Sequence, residues 1–386
     1  MLADTLFDTR ALYAAFAART SLVADGARVV PLELASRNQG LLIDQDRSLA
    51  ENAAFHAALL LPEHGTSFRE LCVLFHGLNE GTEAKLFPWA VNLARRGTPA
   101  LIFPSSFHLA RRPASFLSAR GEAFAARRAI DNNARVSPYN AMLSQRMAAR
   151  PDRFLRGALQ SYRDVVDIAR ALERGTFATA LGSPFAKGAR LSFLGYSIGG
   201  YLAQLALLAN HEGLFSDSRA LLFSSGAALA QLRPQTILIL DVDAQDQLSR
   251  YYDNEETRAG RLPLLDELAA DDGERRWLPS MLYADASLRA GLLSLGKRMR
   301  GLLNSKDLVF PPEAVRDALA GVALDELELG LHELPFNQST ALGESYSDRE
   351  GRRLLLTVVK SYAVADQLRP AFARFVDVVE DHLRAR

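Results

Sequence analysis

Leu191-Ser192-Phe193-Leu194-Gly195-Tyr196-Ser197-Ile198-Gly199-Gly200-Tyr201 joins a short apolar, β-like run to an apolar, helix-like run across a G-x-S-x-G turn. A serine raised on so tight a strand-to-helix turn sits in strained backbone, so the residues two before and two after it must be small. Gly195 and Gly199 meet that demand. The helix expected from Tyr201 onward aims its N-terminal amides at the serine, where the negative oxygen of an acyl-transfer intermediate would form. The alternative, a glycine turn of purely structural use, leaves the apolar strand and helix on either side unexplained. Ser197 is therefore the candidate nucleophile.

A serine hydroxyl at its ordinary pKa attacks poorly, so the turn predicts a histidine base and a carboxylate that orients it, in the chain order Ser, acid, His. Three histidines follow Ser197: His211, His332 and His382. His211 reads as the polar end of a helix, and His382 sits in the last charged turn of the chain. His332 directly follows the strand-like run 327–331, which places it on a loop at a strand's carboxyl end and makes it the expected base. For the acid, Asp307 follows the apolar run 299–303 and precedes Pro311 and Pro312, which open a helix. Asp241 and Asp243 are the competing carboxylates.

A second oxyanion donor should come from the loop after an early central strand. The run 71–75 leads into His76-Gly77-Leu78-Asn79-Glu80. Gly77 lets the backbone turn its next amide inward, so the Leu78 N–H is the expected partner of the Ile198 N–H. His76 is expected to be a structural hydrogen bonder, because no second His or Cys lies at metal-ligand spacing from it. No metal and no cofactor is expected.

Working outward, short apolar runs alternate with longer helix-periodic stretches, which favours an α/β sheet. Strands are expected over 29–34, 55–61, 71–75, 100–103, 191–194, 220–223, 299–303 and 327–331, the first two as an antiparallel edge pair. Between 105 and 190, and again between 226 and 297, far more chain passes than the ~10–15 residues a crossover helix needs. Both segments should carry extra helices, with periodicity over 114–130, 138–147, 154–174 and 262–270. Two C-terminal helices are expected over 346–368 and 370–383, the second opened by its proline.

The combination of His76-Gly77, Gly195-Tyr196-Ser197-Ile198-Gly199-Gly200, Asp307 before Pro311, and His332 resembles the α/β-hydrolase superfamily from about residue 29 to the C-terminus. His76-Gly-Leu-Asn-Glu80, Pro88-Trp-Ala90, Phe103-Pro104 and Phe107-His108 look similar to an uncharacterised bacterial branch of it. The resemblance implies one α/β-hydrolase domain over 1–386. Its expected features are an eight-stranded, mostly parallel sheet flanked by helices, a helical cap from 105–190 and 226–297, C-terminal helices in 346–386, and a Ser-His-Asp triad. The sequence departs from lipases in lacking an HGGG-type loop.

The chain has 386 residues, 48% of them apolar, with 45 Lys+Arg against 45 Asp+Glu. That balance argues against disorder, a polybasic nucleic-acid tail and a membrane bundle. The lone Cys72 permits no internal disulfide, the N-terminus lacks the pattern of a signal peptide, and no apolar run reaches the ~18 residues of a membrane span. A cytoplasmic location is expected. The zero charge is nevertheless a sum of opposites. Residues 105–163 hold eleven arginines against three acids, and residues 241–274 hold eleven acids against three arginines. The segments could pair with each other, or His108, Arg111 and Arg112 could face the pocket and hold an anionic group of a small-molecule acyl substrate. The expected activity is cleavage of an ester or thioester through a Ser197 acyl-enzyme. The alternatives are an acyltransferase or peptidase with the same triad, or a non-catalytic binding protein on the same fold.

Overall fold

The computed structural model describes residues 8–233, 239–283, 285–329 and 365–384. His332 and nearly all of the expected helix 346–368 lie outside the described residues.

The apolar runs become strands whose alternate residues serve two cores, as the two-residue repeat of an extended chain requires. In the fourth strand Leu71, Val73 and Phe75 face one cluster, shared with Phe193 and the helices Arg153–Arg174 and Gly199–Ala209. Cys72 and Leu74 face the other, with Tyr196, Phe223 and the helices Arg10–Ala17, Phe87–Arg95 and Ala365–Arg384. Burial on both faces explains why these strands read as unbroken apolar runs.

The strands are β1 (Leu22–Ala24), β2 (Ala27–Ala35), β3 (Ala54–Pro62), β4 (Phe68–Phe75), β5 (Ala100–Phe103), β6 (Phe185–Tyr196), β7 (Ala220–Phe223), β8 (Met299–Asn304) and β9 (Ala323–Leu327). They form one sheet in the order β1-β2-β3-β5-β4-β6-β7-β8-β9. β1, β2, β3 and β5 pair antiparallel in succession, and every pair from β5 to β9 is parallel. An antiparallel N-terminal edge feeding a parallel sheet, with β5 inserted between β3 and β4, is the α/β-hydrolase fold.

Three expectations need correction. Among the described residues the sheet has nine strands rather than eight, because the short β1 turns back on β2 through Asp25 and Gly26, both at positive φ. The last described strand is 323–327, with residues 330 and 331 of the expected 327–331 outside the described residues: Gly321, at φ 86°, turns the chain straight from the helix Pro312–Ala318 into the sheet. The Leu329 N–H then donates to Asn304 Oδ1 at 2.9 Å instead of continuing the ladder. The C-terminal helix does not begin at Pro370 but runs Ala365–Arg384 through it. As the sixth residue of that helix, Pro370 gives up the bond an N–H there would make to the carbonyl four residues back.

The two long segments contribute differently along their length. Arg153–Arg174 lies on the sheet, its Leu159, Val165 and Leu172 in the core with β4 and β6. Arg120–Arg128 and Ala141–Ala149 sit apart, sharing a small cluster of Ala123, Val136 and Ala141. The acidic segment meets them there, and the opposed charges pair. Arg127 binds Asp241 and Asp243, and Arg163 binds Glu274 at 2.8 Å. No helix among the described residues is long and apolar enough to cross a membrane.

Candidate active site

Ser197 stands at φ 56° between the end of β6 and the helix Gly199–Ala209. A non-glycine residue there is strained, and the neighbouring glycines show what holds it. A Cβ on Gly195 would meet Gly200 Cα at 2.6 Å, and a Cβ on Gly199 would meet the His76 carbonyl oxygen at 2.6 Å. Gly199 thus lets the helix begin directly against the end of β4. Gly200 carries a demand that the G-x-S-x-G pattern does not state: a Cβ there would lie 2.0 Å from Ser225 Oγ. Ser197 itself is buried, at 3% exposure.

The loop after β4 closes over this turn. A Cβ on Gly77 would stand 3.4 Å from Ser197 Cβ, so the loop passes beside the serine. The His76 ring sets its direction. The Ser105 N–H donates to Nε2 at 2.9 Å, which leaves the proton on Nδ1, and Nδ1 donates to the Gly77 carbonyl at 2.7 Å. In a trans peptide the N–H points opposite to the C=O, so the Leu78 amide is turned away from the ring. Among the described residues neither the Leu78 nor the Ile198 N–H has a hydrogen-bond partner. Burial, and after it the neighbouring His108, lowers the His76 pKa to about 3. The ring is therefore neutral and acts as a clamp.

Asp307 follows β8 in a turn in which its Oδ1 accepts from the N–H groups of Val309 and Phe310, both at 2.8 Å. Val309 and Phe310 share a cavity of about 30 Å³ with Ser197, so the acid's turn and the serine border the same space. Asp241 and Asp243 are committed elsewhere. Asp241 caps the helix Val242–Tyr252 by accepting from the Ala244 N–H, and both carboxylates bind Arg127. His211 is held against Asp271 beyond the end of the Gly199–Ala209 helix, and His382 bonds the Ala220 carbonyl at the start of β7, the end of the sheet away from Ser197.

A larger cavity, about 110 Å³, opens on the other side of Ile198. Its walls are chiefly apolar, with Leu78, Phe107, Phe154, Leu278 and Met281 among them. Phe107 and Leu109, in the loop after β5, hold positive φ of 67° and 49°. That loop is anchored by a buried polar network: Ser106 Oγ donates to Gln160 Oε1 at 2.6 Å, and Gln160 accepts from Asn52 at 2.8 Å.

The three residues expected to hold an anion fare differently. Arg111 is fully buried, with Nη1 2.8 Å from Asp164 and both Nε and Nη2 on Asn52. Three of its five donors go to the loop anchor, and the side chain is fully enclosed. His108 lines the cavity, but its Nδ1 donates to the Ser106 carbonyl and burial lowers its pKa to about 4. The ring is neutral with a bare Nε2, an acceptor that repels anions. Arg112 alone remains available.

Sequence reasoning missed Lys85. It is buried, binds Glu80 at 2.6 Å, and lies over the Tyr196 ring at 4.6 Å, gripping the residue before Ser197. The signal was Glu80, an acid in the His76–Glu80 loop with no assigned partner. Among the described residues no group of His, Cys, Asp and Glu could hold a metal ion.

No curated protein matches the sequence. Among solved structures, the chain is similar to TT1662 from Thermus thermophilus, at 17% identity over 80% of this chain and 94% of that one, with a TM-score of 0.38. It is similar to an S-formylglutathione hydrolase from Agrobacterium tumefaciens, at 13% identity over 89% of this chain and 98% of that one, with a TM-score of 0.42. A carboxyl esterase from the mycorrhizal fungus Tuber melanosporum is 12% identical over 95% of this chain and 97% of that one, with a TM-score of 0.43. The model of one family, described as a family of unknown function, matches residues 29–343, and the chain belongs to that family, DUF6051.

Proposed function

We propose that this protein is a serine hydrolase that cleaves an ester or thioester through an acyl-enzyme on Ser197. The observation that carries the reading is the strained Ser197 backbone set beside two unpartnered amides, Leu78 and Ile198, at the edge of an apolar cavity. Strain at a buried serine persists only where the surrounding packing enforces it, and here three glycines are spent on doing so.

In this reading Ser197 Oγ attacks the acyl carbonyl while His332 takes its proton, and the two amides hold the developing oxyanion. The C–O or C–S bond breaks, and the leaving alcohol or thiol departs with the proton from His332. Water then gives its proton to His332 and attacks the acyl-serine, releasing the carboxylic acid and returning the proton to Ser197. Asp307 keeps the imidazole oriented and stabilises its charged form. Two hydrogen bonds on its Oδ1 suit that role, because they hold the carboxylate in one orientation. The helices Arg120–Arg128, Ala141–Ala149 and Val242–Tyr252 act as the cap, with Met147 and Leu248 supplying cavity walls from the two segments.

The test is covalent labelling by a fluorophosphonate probe, read by intact-protein mass. The wild type should gain one adduct and Ser197→Ala none. An unlabelled wild type, or equal labelling of both, sinks the proposal.

A further inference from the structure

Of the arginines in the basic segment 105–163, seven face carboxylates: Arg111, Arg127, Arg146, Arg153, Arg156 and Arg163 are each in an ion pair with side chains largely buried, and the half-exposed Arg150 pairs with Asp152. Arg112 and Arg120 are half-buried, yet neither is in an ion pair among the described residues. Both line a cavity of about 60 Å³ that shares Phe107, His108 and Met147 with the larger cavity next to Ile198. A half-buried guanidinium without an anion has lost solvation, which for Arg120 is offset only by the Tyr139 ring, 5.4 Å from it. Two of them on one wall add mutual repulsion.

The nearby carboxylates relieve this only in part, Glu83 by its charge acting on Arg112 from beyond ion-pair distance. Glu80, on the same wall, is held by Lys85 at 2.6 Å. Glu83 makes no ion pair with Arg112, and its Oε1 accepts from the Ala110 N–H at 3.1 Å. Arg146, the third guanidinium on the wall, is stacked between Phe107 and Phe116 and bonded to Asp46. Space has also been kept for Arg112: a Cβ on Gly81 would stand 2.7 Å from its Nη1.

We infer that this side cavity binds an anionic group, a carboxylate or phosphate, carried by the substrate away from the scissile bond, with Arg112 and Arg120 as its two ligands. The inference rests on the hydrolase reading for the word substrate, while the site itself stands on Arg112, Arg120 and the cavity. Guanidinium forks match both anions through paired hydrogen bonds, and the aromatic and methionine walls accept the apolar chain that joins anion to ester.

The test uses the full chain and matched ester pairs. On the acyl side, 4-nitrophenyl hydrogen glutarate is compared with its methyl ester. On the leaving-group side, 4-carboxyphenyl butyrate is compared with its methyl ester. The ratio of kcat/KM, anionic over neutral, should exceed about ten in one arm, and that arm identifies which part of the substrate carries the anion. Arg112→Gln and Arg120→Gln should each lower that ratio about tenfold, whereas Arg128→Gln, on an exposed face, should not. No anionic preference, or one that both variants retain, overturns the inference. If no ester is turned over and Ser197 takes no fluorophosphonate, the hydrolase reading has failed and the site is read by calorimetry with glutarate and with inorganic phosphate. Binding that is lost in both variants then supports it, and no binding of either anion overturns it.

Discussion

Arg127 and Asp241 meet side by side, Nε on Oδ2 at 2.8 Å and Nη2 on Oδ1, with the aspartate completely buried. One comes from the basic segment and the other from the acidic one, so this pair, with Arg163 and Glu274, fastens the two long segments together. The neighbouring arginine keeps the Asp241 pKa low despite the burial that works against the charge. Removing one partner of such a pair leaves a buried charge uncompensated, at a cost of about 3–5 kcal/mol. Arg127→Ala should therefore lower stability by about that amount in urea denaturation, and Arg128→Ala, next along the chain but exposed, by less than ~0.5 kcal/mol.

The Asp307 turn separates structure from charge. Asparagine keeps a carbonyl oxygen for the Val309 and Phe310 amides but loses the negative charge. Asp307→Asn should stay within about 1 kcal/mol of wild-type stability. Its rate of fluorophosphonate labelling should fall on the order of 10⁴-fold if the carboxylate orients the base. A variant that labels at the wild-type rate removes Asp307 from the catalytic group.

The oxyanion assignment rests on a backbone atom, so the informative substitution is one that deletes it. Leu78→Pro removes the N–H, and labelling should slow by about 10²–10³-fold, while Leu78→Ala, which keeps the amide, should slow it far less. Equal effects of the two would mean that the Leu78 side chain, not its amide, matters.

Three histidines, His76, His108 and His382, contribute to the response to acid. Burial lowers the pKa of His76 to about 3 and those of His108 and His382 to about 4, each below the ordinary value of 6.5. Below pH 6.5 the unfolded chain takes up protons that the folded chain refuses, so stability is full above that pH and is lost as pH falls toward 4. The slope is up to ~1.4 kcal/mol per pH unit for each histidine. His382→Gln, whose amide can still donate to the Ala220 carbonyl, should flatten the pH dependence of the denaturation midpoint by about one proton. An unchanged slope would show that His382 titrates normally in the fold.

The elements legible beforehand are those with a local cause. The strand at 71–75, the turn at Ser197 and the helix after it follow from apolar period and from glycine at positions where a Cβ would strike backbone at 2.6 Å. The loop Gly77-Leu78 was legible from a glycine directly after an apolar run, where a Cβ would meet the Tyr196 ring at 3.0 Å. The strand 323–327 escaped the reading because Leu327-Glu-Leu-Gly-Leu331 alternates and Ala323-Leu-Asp-Glu-Leu327 does not, and only pairing with β8, as far as Asn304 with Leu327, marks it as a strand. Pro370 misled because a helix-start preference is weaker than the burial of Phe372, Phe375 and Val379 along one continuous face.

Charge was the least legible property. The sequence by itself determined the α/β alternation, the glycine-flanked turn at Ser197, the Asp307 turn after β8, and the presence of two oppositely charged segments, because each depends on neighbours within a few residues. Which arginine meets a carboxylate, and which meets none, depends on contacts between residues up to about a hundred positions apart. Arg111 and Arg112 are adjacent and chemically identical, yet the fold sends one to Asp164 and leaves the other on the wall of a cavity. Only the tertiary structure could divide them, because the energy of a charge is set by what surrounds it after folding rather than by its place in the chain.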